Sequence, residues 1–155
     1  MKNLFLTILI AGFGLTLSAQ TTLRQKTQEE KLNDAFCTGL FKTTEGTVLD
    51  VYGSNTAHAY FNILDWLDGR VAGLQVVKGK NGVRVPLIRG QQPAIFLDEV
   101  QTNLSAISSI ATSDIAIIKI IKTPFVGGFN AGGGAIAIYT GSWEDDGADP
   151  DGEGK

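Results

Sequence analysis

The chain has one cysteine, Cys37, and one histidine, His58, among 155 residues. A lone cysteine excludes an internal disulfide, and the residue type favours a small buried thiol. A Ser–His–Asp triad or a Cys–His pair would have to use His58. That residue falls in a helical pattern beside Tyr60 and Phe61, and Cys37 lies in weakly patterned sequence without an activating partner. Metal clusters need several His or Cys ligands, so none is expected. Phosphate loops are missing too. Gly127 and Gly132 have the Gly-x4-Gly spacing, but Gly133 stands where the lysine belongs. A dinucleotide motif wants a strand before it and a long helix after it; here a strand follows. The run "DDGADPDGEG" does not register as a calcium loop, because aligning Gly152 with the sixth position leaves no residue for the twelfth. Asp65, Asp68, Asp98 and Glu99 are the remaining acid–base candidates, and nothing in their spacing brings them together. No enzyme and no cofactor is expected.

A basic excess is also lacking, which argues against nucleic acid as a partner. The formal net charge is −3. Residues 144–155 hold six acids and one lysine, so the acidity is a terminal appendage and residues 20–143 carry +1. Only one apolar run is long, and it stands at the start. Lys2 precedes the stretch Leu4 to Leu17, and the small residues Ser18-Ala19 follow. A spanning helix needs about 20 apolar residues. This shorter stretch reads as a secretory signal peptide over residues 1–19, cut before Gln20. No cysteine follows the cut, so no lipid anchor is expected.

What is present is globular, with 43% hydrophobic and 19% charged residues. Residues 20–56 read as a polar, flexible or loosely helical leader followed by a domain edge with a strand or two. Residues 57–141 carry the pattern. Ala57, Tyr60, Phe61, Leu64 and Leu67 recur at helical spacing, with Asn55 or Thr56 as the cap and Gly69 as the stop. Strands are expected at Leu74–Val77, at Val83–Leu87 with Val83, Val85 and Leu87 inward, and at Ala94–Asp98. Asn81-Gly82 marks the turn between the first two, and Pro86 marks an edge or bulge. Leu104 to Ile110 predicts a short helix. "DIAIIKIIK" (114–122) predicts a strand buried on both faces, and "GGGAIAIYT" (132–140) a last strand. The fold class is therefore mixed α/β (α+β), a small mixed β-sheet with short helices. Residues 142–155 read as a disordered acidic tail.

Four stretches in fixed order, "NILDWLDGRVAGLQV", "VRVPLIRGQQPAIFLDEV", "SDIAIIKIIK" and "GGGAIAIYT", resemble the plug domain of TonB-dependent receptors, above all SusC-like ones. The resemblance covers about residues 60–140. Asp98-Glu99 stands where that family has Asp-Gly, Asn130-Ala131-Gly132-Gly133 stands where it often has Arg-Gly-Ala-Asn, and Ile117 and Ile118 replace polar residues. No TonB box is evident in residues 20–56, and the alternating segments of the family's barrel do not follow. The resemblance implies a folded stopper in the periplasm, at the inner face of the outer membrane. It would seal a separately encoded β-barrel, either a SusC-like transporter or the type IX secretion translocon. Arg70, Arg89, Gln91, Asp98, Glu99, Phe125, Phe129 and Asn130 become the partner-binding candidates. Arg89 would pair with acids on a pore wall; the alternative is a surface strand-end arginine. Arg70 has the alternative of a salt bridge within the domain. A soluble ligand-binding module and a transporter remnant are the rival functions, although 8% aromatic residues offer little for a sugar platform and no strong small-molecule ligand is expected.

Overall fold

The computed structural model describes residues 26–125 and 132–141. Among them the strands are β1 (Thr47–Asp50), β2 (Leu74–Lys78), β3 (Arg84–Ile88), β4 (Ala94–Leu97), β5 (Val100–Thr102), β6 (Ile115–Ile121) and β7 (Ala135–Thr140). Five of them form one mixed sheet in the order β1-β6-β7-β4-β5, while β2 and β3 form a separate hairpin. Strand β6 lies antiparallel to β1 and β7, and β7 runs parallel to β4. All seven residues of β6 are buried, as its nearly all apolar, largely β-branched run predicts. The register with β7 shifts between Ile115 and Ile117. The extra residue puts Ala116 and Ile117 on the same side.

The helices α1 (Gln28–Phe36), α2 (Gly39–Thr43), α3 (Ile63–Leu67) and α4 (Leu104–Ser108) divide between the two faces. On one face, Ile95, Ile118, Ile120, Ile136 and Ile138 pack with Ile63, Leu64 and Leu67 of α3, Ile107 of α4, and Leu74 and Ile88 of the hairpin. On the other, Phe96, Ile117, Ile121, Ala135, Ala137 and Tyr139 pack with Leu32 of α1, with Cys37, and with Phe41 of α2. Phe41, Phe96 and Phe125 stack there with ring centroids 4.9 to 5.6 Å apart. Both faces of the sheet are thus covered by the chain's own residues.

Three local expectations change. The single helix from Ala57 to Leu67 is instead a 3-10 turn at Ala57–Ala59, a bend, and α3. Asn62 takes the cap, its Oδ1 accepting from the Leu64 N–H at 2.9 Å. Thr112 Oγ1 donates to the Tyr60 carbonyl at 2.9 Å and pins the bend. Phe61 is thrown outward as a result, at 101% exposure. Second, the leader is regular helix from Gln28 onward. Thr27 and Glu30 form a capping box, Glu30 N–H donating to Thr27 Oγ1 at 3.2 Å and Thr27 N–H to Glu30 Oε2 at 2.9 Å. With α1, α2 and β1 all packed on the sheet, the boundary expected at Ala57 runs through a continuous unit. Third, β3 buries Pro86 and Ile88 rather than Val83, Val85 and Leu87. A two-stranded hairpin gives each strand a free edge, so Pro86 needs no N–H there. The expected signal peptide and acidic tail lie outside the described residues.

Candidate partner-binding surface

The stretch "LIRGQQPAIFLDEV" holds the three non-glycine residues of positive φ found among the described residues: Arg89 (+51°), Asp98 (+46°) and Glu99 (+66°). Both charged corners are two-residue hairpin turns. Arg89-Gly90 links Ile88 to Gln91, which exchange backbone hydrogen bonds of 2.8 and 3.0 Å. Asp98-Glu99 links β4 to β5. Turns with positive φ at both central positions match the twist of the strands and favour Asn-Gly or Asp-Gly. Asp98 suits this rule; Glu99 does not, and its Cβ makes the left-handed conformation unfavourable.

The side chains explain the exception. Asp98 Oδ1 accepts from the Thr140 N–H at 2.8 Å and Oδ2 from Thr140 Oγ1 at 2.7 Å, fastening the corner to the end of β7. Glu99 Oε1 accepts from the Thr38 N–H at 2.6 Å and from the Tyr139 hydroxyl at 3.0 Å. Its other oxygen accepts from Thr38 Oγ1. Burial pushes the Glu99 carboxyl up, but the hydrogen bonds from Thr38 and Tyr139 outweigh it and hold the group below the usual glutamate value. A glycine at position 99 would relax the backbone and lose all three contacts.

The nearby interior is polar as well. Lys119 of β6 is 2% exposed. Its ammonium donates to Asn33 Oδ1 at 2.6 Å and to the Phe41 carbonyl at 2.5 Å. Burial lowers the lysine pKa. Cys37 is buried as expected; desolvation raises its thiol pKa, opposed by a hydrogen bond with Tyr139 and the charge of Lys119. Burial raises the Tyr139 phenol likewise, reinforced by its bonds to Cys37 and Glu99.

The eight candidates do not share one patch. Arg89 and Gln91 are exposed at the end of the sheet where β4 begins. The Arg89 N–H donates to the Gly73 carbonyl at 2.8 Å, and its guanidinium makes no salt bridge among the described residues. Asp98 and Glu99 lie past the other end of β4, a strand about 13 Å long at roughly 3.3 Å per residue. Arg70 is exposed and makes no salt bridge among the described residues. It stacks 4.3 Å from the Trp66 ring centroid and donates to the Trp66 carbonyl at 2.7 Å. Phe125 is 4% exposed and belongs to the aromatic core. Phe129 and Asn130 lie outside the described residues. Sequence reasoning missed Phe61, with exposed Tyr60 beside it, because the apolar spacing placed both on a buried helix face. Asn62, a favoured helix-cap residue three positions after Ala59, was the available signal of a break.

An open cleft of about 580 Å³ lies between β5 and α4, lined by Gln92, Pro93, Gln101, Thr102, Asn103 and Leu104 among others, with no ionisable side chain. No group of three His, Cys, Asp or Glu among the described residues can hold a metal. No helix among them is long and apolar enough to cross a membrane.

No family model and no curated protein matches the chain. Solved structures do. Its fold is shared with part of the RagAB peptide importer. The importer's "closed-closed" state matches with a TM-score of 0.53 and 23% identity, over 64% of this chain and 12% of that one. The "open-open" state matches with a TM-score of 0.52 and 24% identity, over 63% and 12%. The likeness establishes the fold, and this chain spans a small fraction of those chains' length. The plug-like mixed α/β class expected from the sequence is the class observed.

Proposed function

We propose that the protein is a non-enzymatic, periplasmic stopper that binds and seals a separately encoded outer-membrane β-barrel. The observation that carries this reading is the fold it has in common with a segment of the importer structures. A second observation supports it: both sheet faces are closed by the chain's own side chains, so no barrel wall is needed to complete a core. The partner is a SusC-like transporter or the type IX secretion translocon, and it meets the stopper through exposed residues. Arg89 and Gln91 at one end, and Phe61 beside the start of β6, are the contacts we assign to it. Rigidly presented aromatic and arginine side chains are the residue types that dominate interfaces.

The test is recovery from cells. A tagged chain is purified from envelopes solubilised in mild detergent, and the co-purifying proteins are identified. A stoichiometric barrel protein is expected, and adding the purified chain to that barrel in a planar bilayer should lower its conductance. Recovery of the tagged chain with no barrel, or a conductance indifferent to it, overturns the reading.

A further inference from the structure

We propose that residues 27–44 form a strap that opens as one unit while the sheet beneath stays folded. The inference is independent of any barrel. It rests on how this segment is attached.

The backbone hydrogen bonds of the strap close on themselves. Lys31 N–H reaches Thr27, Cys37 N–H reaches Asn33, Lys42 N–H reaches Thr38 and Thr44 N–H reaches Leu40. Its surface contacts are internal as well, with Lys26 and Lys42 both on Asp34 and Asn33 Nδ2 donating to the Lys42 carbonyl at 3.0 Å. No strand of the sheet pairs with it. It crosses the second face by seating the buried apolar side chains of Leu32, Cys37 and Phe41. The opposite face is held by many more, including Ile63, Leu64, Leu67, Val71, Leu74 and Ile107.

Beyond those three side chains and the half-buried Phe36, what fastens the strap is polar, and it comes from the sheet. Glu99 takes the Thr38 N–H and hydroxyl at one point. Lys119 takes Asn33 and the Phe41 carbonyl at another. A segment with local backbone bonding and few apolar anchors is the kind of element that opens below the global unfolding free energy. Its departure uncovers a face floored by Ala116, Ala135 and Ala137 and walled by Phe96 and Phe125. Glu99 accordingly tolerates a backbone that favours glycine because its carboxylate is one of the two latches.

Cys37 reports the motion without engineering, since it is the chain's one cysteine and is 2% exposed. The experiment follows maleimide labelling of Cys37 together with amide hydrogen exchange, both in low urea. The strap amides of Cys37, Lys42 and Thr44 should exchange at least about tenfold faster than those of β6 and β7 and with a shallower urea dependence. Labelling of Cys37 should follow the strap rate. Glu99→Gln should raise both strap readouts by about tenfold, and Lys119→Met should act in the same direction; β6 and β7, whose opening also releases the latch, should accelerate by no more than that factor, so the gap between strap and sheet persists. Strap and sheet amides exchanging in step in the unmodified protein overturn the proposal, whatever the variants do. So does a Glu99→Gln protein in which strap exchange and Cys37 labelling are unchanged.

Discussion

Replacing Glu99 by glycine sets two effects against each other. The left-handed backbone at φ +66° costs a residue with a Cβ about 1–2 kcal/mol. Glycine recovers that, less about 0.5–1 kcal/mol for its greater freedom in the unfolded chain, for a net gain of about 0.5–1 kcal/mol. Against this stand three hydrogen bonds to an ionised carboxylate. Bonds to charged groups contribute about 1.5–3 kcal/mol each, but Glu99 is only half-buried, so solvent screening reduces each to about 1 kcal/mol. The loss wins, and Glu99→Gly should be less stable by about 2 kcal/mol. Urea unfolding at 25 °C measures it directly. With a slope of about 2 kcal/mol per molar, the midpoint should fall by about 1 M. A variant as stable as the parent, or more so, would refute the view that this corner is built for its carboxylate rather than for its turn.

Gly134→Ala should be far more damaging. Its φ is +89° and an added Cβ would stand 2.2 Å from the Ile121 carbonyl oxygen, so a loss of about 3–4 kcal/mol and a thermal midpoint roughly 10 °C lower are expected by calorimetry. Because the folded pKa of Glu99 lies below its ordinary value of 4.5, its contribution is complete above that pH and disappears as pH falls through the folded value. Glu99→Gln should therefore flatten the acid limb of a stability-against-pH curve, and an unchanged limb would count against the Thr38 and Tyr139 contacts. Lys119→Ala strands the buried Phe41 carbonyl and the half-buried Asn33 Oδ1, and should cost about 2–3 kcal/mol in urea. Phe61→Ala should leave stability within about 0.5 kcal/mol while weakening recovery of a barrel partner; a large fall in midpoint would mean that Phe61 packs in the folded chain.

The centre of the fold was legible because one physical signal ruled it. Ile115 to Ile121 and Ala135 to Thr140 are apolar and largely β-branched, and a run of that kind is stable only when covered on both sides. The edges were not legible, since there several weak preferences compete. The 57–67 stretch has helical spacing, yet Asn62 and Thr112 offer the backbone local alternatives that interrupt it. The β3 face inverted because turn geometry, not hydrophobicity, sets the register of a short two-stranded hairpin. Helix α1 has one buried residue, Leu32, and so almost no apolar stripe. It is revealed by the capping pair Thr27 and Glu30, three residues apart. Of the candidate surface, the exposed Arg89-Gly90 turn was foreseen as a corner. The inward roles of Phe125 and Glu99 depend on partners distant in sequence, which spacing does not encode.

The two middle strands of the sheet, β6 and β7, come last in sequence, whereas its margins, β1 and the β4–β5 pair, come first. During synthesis the early segments have no neighbour to zip against until residues 115–140 have appeared, and β7 must then slot alongside β4 in the same direction. Such distant pairings form slowly. A product stopped before Ile115 therefore carries two orphaned borders and no middle, and this sheet remains threadable until residues 115–140 have been made.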